Sequence, residues 1–334
     1  MLEGIPNIVN TKPVEEATPE KNEKLAPEKK EMKEATERFN DLIETVSLRY
    51  KDMPDKMKEN FVAHNKDILE SAIKLGVKKN LPPDKMKALE LAAILHDLTK
   101  NDLVPEKTDE KFKDFYGEDS AEYKRIATDY RLLMHGETAA EESKNILTDE
   151  FLIEHGIEKD AEKIRGIVSN AIAEHMGPNP GYMGFILEIT NNKLREMEES
   201  EIEHPKARGT VSEILLAADM KSLASRCGIE KVISIRCNFN KTQDQKTVTD
   251  YNEKGIDLTI GEAALISALS SAFQARNMIE DSKLQTLINE VINEAIKGDY
   301  EYGLEGEKEI VNCKDTIEKQ KKYLSIIAQE KETE

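Results

Sequence analysis

An all-α fold is predicted for this 334-residue chain from three observations. Charged residues make up 34% of the sequence and aromatics only 5%, with no Trp, and Glu, Lys, Ala, Leu and Ile dominate throughout. Apolar residues recur at steps of three and four in one segment after another. Only Glu230 to Asn240, with Val232, Ile233, Ile235 and Phe239, could pass for a short strand. The expected organisation is a disordered tail over residues 1–33, a helical domain over 34–240 and a helical C-terminal extension over 241–334.

The tail mixes Pro6, Pro13, Pro19 and Pro27 with dense Glu and Lys, and so buries too little apolar surface to offset ordering. From Lys33 to Tyr50 the positions Phe39, Leu42, Ile43, Val46 and Leu48 predict a leading helix, with a break at Pro54. A second helix carries Phe61, Ile68, Leu69, Ile73 and Leu75 up to Gly76, with His64 toward its apolar side. Leu81-Pro82-Pro83-Asp84 is a helix start, with Pro in the first turn and an acid early. Residues 101–122, charged and holding Pro105 and Gly117, read as a loop or short-helix excursion.

Further helical patterns follow at Arg131 to Ala140, Phe151 to Gly156 and Ala161 to His175. Gly177-Pro178-Asn179-Pro180-Gly181 must break the chain, and an acidic segment leads on to Val211 to Asp219. Gln243 to Gly255 is polar and reads as a loop. Amphipathic helices are expected at Gly261 to Ile279 and Leu284 to Ile296, with a third pattern at Lys314 to Ala328.

A net charge of −18 argues against general nucleic-acid or anionic-membrane binding, since both need an excess of Lys and Arg. Cys227, Cys237 and Cys313 have no metal-type spacing and read as reduced, small core residues. No signal peptide and no run of about 18 apolar residues is visible, so a cytoplasmic protein is expected.

Chemistry concentrates at Leu91-Ala92-Ala93-Ile94-Leu95-His96-Asp97-Leu98-Thr99-Lys100, an apolar helix ending in an adjacent His-Asp pair. Burying an imidazole and a carboxylate there is costly unless both are paired or bind a cation. The chain has only six histidines, and His64, His96, His135 and His175 all fall on apolar-patterned segments. With Asp97 and the lone acid Asp219 they run in the order His, His-Asp, His, His, Asp, each gap long enough for one helix-turn-helix excursion. Five helix ends can therefore meet at one point of a bundle. His155 and His204 fit no place in that order.

Over about residues 58 to 228 the sequence resembles the HD-domain metal-dependent phosphohydrolases. His96-Asp97-Leu98-Thr99-Lys100 matches that family's His-Asp-x-x-Lys, and Ala217-Ala218-Asp219 its closing Asp. The order of four His and two Asp looks most like the subset that binds two metals, which includes the bacterial diadenosine tetraphosphate hydrolases. The cyclic-dinucleotide phosphodiesterases of the superfamily differ: they carry paired His and Gly-Tyr-Pro, where this chain has His175-Met176 and Gly181-Tyr182-Met183. The resemblance implies an HD-domain helical bundle at residues 34–240 and hydrolysis of a phosphoester or phosphoanhydride by a metal-bound hydroxide. The implied substrate is a small phosphorylated molecule, a nucleotide or dinucleoside polyphosphate.

Four imidazoles and two carboxylates are a mixed N/O set suited to two divalent ions from among Mn, Fe, Co, Ni, Zn and Mg. With Asp97 bridging, His64, His96 and Asp219 would complete one ion, and His135 and His175 the other. Asp97 and Lys100 are the expected catalytic residues, and Lys100, Lys206 and Arg208 the expected phosphate-binding cations. Glu137 reads as a solvated helix position or a group that orients a ligand. A non-catalytic module that senses a nucleotide or binds a partner is the alternative.

Overall fold

A computed structural model describes residues 27–49, 55–100, 102, 104–175, 182–203, 206–239, 241–303 and 306–333. The described residues form fifteen helices and a single two-stranded sheet, so the chain is all-α. It divides into two compact units, residues 1–218 and 219–334.

The first unit begins with α1 (Pro27–Arg38) and α2 (Asn40–Leu48). Residues 1–26 of the expected tail lie outside the described residues, and residues 27–33 are helical rather than disordered. The reason is local: Pro27 opens the helix, Lys30–Glu34 and Lys33–Glu37 pair one turn apart at 3.6 and 3.8 Å, and Ala35 is fully buried. The leading helix expected over 33–50 is split at Phe39 (φ −119°, ψ 26°), whose fully buried ring is worth the interruption.

Next come α3 (Asp55–Lys78) and α4 (Pro83–Leu95), the second opening on the Pro-Pro-Asp start. Every residue from Ala88 to Leu95 is buried, which marks α4 as a central helix. It packs against α3 and against α8 (Ala161–Glu174), and α8 packs in turn on α6 (Ala121–Ile146). Between them lie α5 (Glu106–Tyr116) and α7 (Asp149–Glu154). The 101–122 excursion thus carries a helix, α5, which sets Phe112 into an apolar cluster with Ile126 and Leu133. Ile186 and Leu194 of α9 (Tyr182–Glu196) close that cluster, and α10 (Thr210–Ala224) ends the series. The expected break at 177–181 lies outside the described residues.

One buried charge on α4 makes stability pH-dependent. Glu90 is fully buried, and burial pushes its carboxyl up to about 8, against the opposing pull of Arg38 of α1 at 2.7 Å. The folded state therefore holds a proton that the unfolded chain releases near 4.5. Stability contributed by protonated Glu90 is complete below that value and is lost as pH rises through about 8. Melting temperatures taken from pH 5 to 8.5 should fall more steeply with pH in the natural chain than in Glu90→Gln; parallel profiles would refute this.

The second unit contains α11 (Arg226–Phe239), α12 (Lys241–Glu253), α13 (Ile260–Asn277) and α14 (Ser282–Ala295). A hairpin of β1 (Asp299–Tyr302) and β2 (Glu309–Asn312) follows, antiparallel with Tyr300 opposite Val311, and α15 (Cys313–Thr333) ends it. Buried along its first half, from Gly261 to Leu269 except Ser267, α13 is the hub, opened by a Thr259–Glu262 capping box.

Three expectations fail in this unit. Of the strand-like 230–240, residues 230–239 are part of α11, where Ile229 and Ile233, four apart, both bury, and residue 240 lies outside the described residues. The polar loop expected at 243–255 is largely α12, whose narrow apolar stripe of Val248 and Tyr251 is anchored by Arg236 donating to buried Asp244 at 2.8 Å. Of the cysteines only Cys313 is buried; Cys227 is exposed, on the first turn of α11, and is not a core residue. Among the described residues no helix is long and apolar enough to cross a membrane.

Candidate metal centre

The His-Asp pair sits where α4 runs out. His96 keeps helical dihedrals as the C-cap, and successive tight turns follow, with Leu98, Lys100 and Asp102 donating to the carbonyls of Leu95, Asp97 and Thr99. This tightening turns both His96 and Asp97 inward, and each is fully buried. His175 likewise caps the C-terminus of α8 and is buried. Two helix C-termini, the negative ends of their dipoles, thus meet at one place and favour a cation there. His64 and His135 come instead from the interiors of α3 and α6, and Asp219 from within α10. The expectation that every ligand occupies a helix end therefore holds only for His96-Asp97 and His175.

The Asp97 carboxylate is the centre of the cluster. Its Oδ1 lies 3.2 Å from His135 Nε2 and 4.0 Å from His175 Nε2, while Oδ2 lies 3.5 Å from His64 Nε2 and 3.6 Å from His96 Nε2. His135 and His175 bring their Nε2 atoms to 3.2 Å of each other. Two groups emerge in which all ligand atoms lie within 4.8 Å of one another: Asp97, His135 and His175, and His64, His96 and Asp219. Asp219 directly follows Ala218 in α10, the last residue of the first unit.

The backbone sets which nitrogen faces inward. Nδ1 of His96, His135 and His175 lies 2.9, 2.6 and 2.5 Å from the carbonyl oxygens of Ala93, Leu132 and Ile172, each three residues back. A carbonyl only accepts, so Nδ1 carries the proton and Nε2 presents its lone pair to the cluster. Lone pairs then face carboxylate oxygens at 3.2–4.0 Å, a repulsive arrangement that a cation makes attractive. The donor set fits a divalent metal.

Burial works to raise the Asp97 carboxyl. The Lys100 ammonium leads the opposing pull, and the carboxyl is held well below the usual carboxylate range. Lys100 Nζ lies 2.7 Å from Asp97 Oδ2 and is partly exposed, at the rim. Lys206 and Arg208 are exposed; the backbone N–H of Arg208 donates to Glu174, next to His175, at 2.8 Å. Glu137 is exposed. His155 stands apart, stacked on Phe151 and Phe39 with Asp41 at 3.1 Å, while His204 lies outside the described residues.

Thr99 was not singled out by the sequence pattern, yet it ties the site together. Its hydroxyl donates to the carbonyl of His135 at 3.1 Å and lies 2.6 Å from Thr138 Oγ1, locking the Asp97 turn onto α6. A threonine inside the His-Asp-x-Thr-Lys run was the available signal. Thr99→Val keeps the shape and removes both bonds, so it should cost about 1 kcal/mol of stability and roughly tenfold in metal affinity. Metal titration followed by tryptic protection would check this, and an unchanged affinity would deny Thr99 its positioning role.

The fold and site define a helical protein with a buried His/Asp cluster able to hold metal. No family model, no curated protein and no solved structure matches the chain.

Proposed function

We propose that this chain is a metal-dependent phosphohydrolase of the HD type that binds two divalent cations and cleaves a phosphoester or phosphoanhydride in the cytoplasm. The supporting observation is the placement of Asp97, one carboxylate oxygen toward His135 and His175 and the other toward His64 and His96. When bound, two such cations supply an activated water and offset charge on the attacking and leaving oxygens.

The residues of the chain divide the remaining work. Asp97 bridges the two ligand groups and keeps its charge. Lys100, paired to Asp97 Oδ2 at 2.7 Å and partly exposed, can exchange that partner for a phosphate oxygen. Lys206 and Arg208 lie on the segment held to Glu174 and would meet outer phosphates of a longer substrate. By resemblance the substrate is a nucleotide or a dinucleoside polyphosphate.

The test is phosphate release from nucleoside mono-, di- and triphosphates and dinucleoside polyphosphates by the full chain, with Mn, Fe(II) or Co added. Metal-dependent turnover of one class, abolished by chelation, is the expected result. Bound metal with no turnover on any of them would replace the enzyme by the nucleotide-sensing module.

A further inference from the structure

Thr99 and Thr138, which join the Asp97 turn to α6, also line a cavity of about 290 Å³. A second cavity of about 630 Å³ shares Val104 and Arg131 with it, so the two form one groove between the α5 excursion and α6. Among the described residues, no member of the His/Asp cluster lines either cavity. The groove is lined by residues other than the cluster ligands and is large enough for a drug-sized ligand.

Its charges are unevenly balanced. Of the rim acids, Asp102 and Glu142 both engage Arg49, and Glu141 holds Lys144 at 2.6 Å. Lys113, on the wall of the larger cavity, is held by Asp109 at 2.8 Å, while Glu106, also on that wall, is exposed to solvent and has no cation partner among the described residues. Arg131 is partly buried where the two cavities meet, and among the described residues no carboxylate comes within ion-pairing distance of it. A planar guanidinium on a partly buried arginine without a counter-charge is suited to a bidentate phosphate or carboxylate. Beside it the wall is apolar, formed by Val104, Pro105, Met134 and Tyr130, whose ring is held edge-on by Phe112 at 5.4 Å.

We propose that this groove binds a small organic anion, a phosphorylated or carboxylated molecule with a flat apolar body, its anionic group on Arg131 and its body along Tyr130 and Met134. The site goes beyond the phosphohydrolase reading, because Arg131 needs no metal. An occupant would press on Thr99 and Thr138, and through them on the frame of the cluster.

Calorimetric titration of the full chain, stripped of metal by chelation and then freed of chelator, with AMP, GMP, CMP and phenyl phosphate tests it. Saturable binding of at least one is expected, weakened tenfold or more in Arg131→Gln and largely retained in Arg131→Lys, both at natural helical content. Adenosine should bind the natural chain no better than AMP binds Arg131→Gln. Equal affinity in the natural chain and Arg131→Gln, or no saturable binding of any of the four at millimolar concentration, would overturn the proposal. With metal restored and turnover present, a binder that competes with the hydrolysed substrate marks the groove as the seat of one substrate end. A binder that changes turnover without competing marks a separate effector seat, and both outcomes uphold the site. Binding to metal-free chain stands even if no hydrolysis is found, so the two readings fail separately.

Discussion

Asp97→Asn is expected to abolish metal binding at both ligand groups, whereas His135→Ala should leave the His64, His96 and Asp219 group able to hold one ion. The asymmetry follows from geometry, because each Asp97 oxygen serves a different imidazole pair and both are lost as anionic donors in the amide. Ligand-linked stabilisation makes it measurable: metal at a hundred times its Kd adds about 2.7 kcal/mol per site. In a chain of 334 residues that is about 4 °C per site. The natural chain should therefore show the largest metal-induced rise in melting temperature, His135→Ala about half of it and Asp97→Asn none. Equal rises in all three proteins would show that the metal binds elsewhere.

The second large effect is expected at Gly228, nine residues beyond Asp219. It lies in the first turn of α11, where a Cβ would overlap the carbonyl oxygens of Ser222 and Leu223 in the last turn of α10. Both obstacles are backbone, so neither can swing aside. The joint is further tied by Ser225 Oγ, which accepts from the Gly228 N–H at 3.2 Å and donates to the Ser222 carbonyl at 2.6 Å. Gly228→Ala should cost about 3 kcal/mol locally. That corresponds to roughly a hundredfold faster amide exchange over the joint and α11, read by hydrogen-exchange mass spectrometry. Unchanged exchange there would mean that the joint opens at little cost.

Much of the architecture was legible in the sequence for identifiable reasons. The α4 start was written in Pro82-Pro83-Asp84, and its buried course in an unbroken apolar run. The ligand order in the chain picked out six residues that fall into two compact groups. What the sequence obscured was structure carried by few apolar residues. α12 buries Val248 and Tyr251 in an otherwise polar segment, and α1 is built from charges whose i,i+4 pairing looks, as composition, like disorder. The hairpin was missed because four-residue strands, alternating exposed and buried, leave too short a pattern to read. At the site, identity and order were readable, but the tautomers were not: they depend on carbonyls three residues back, which only the folded helices place.

The most direct test of the central claim is the metal-to-chain ratio of the full protein, loaded with Mn, Fe(II) or Co and desalted, by inductively coupled plasma mass spectrometry. The two ligand groups, one containing Asp97 and the other facing its Oδ2, predict about two ions per chain, falling to none in Asp97→Asn. No bound metal under any loading, or an unchanged ratio in Asp97→Asn, would contradict the account.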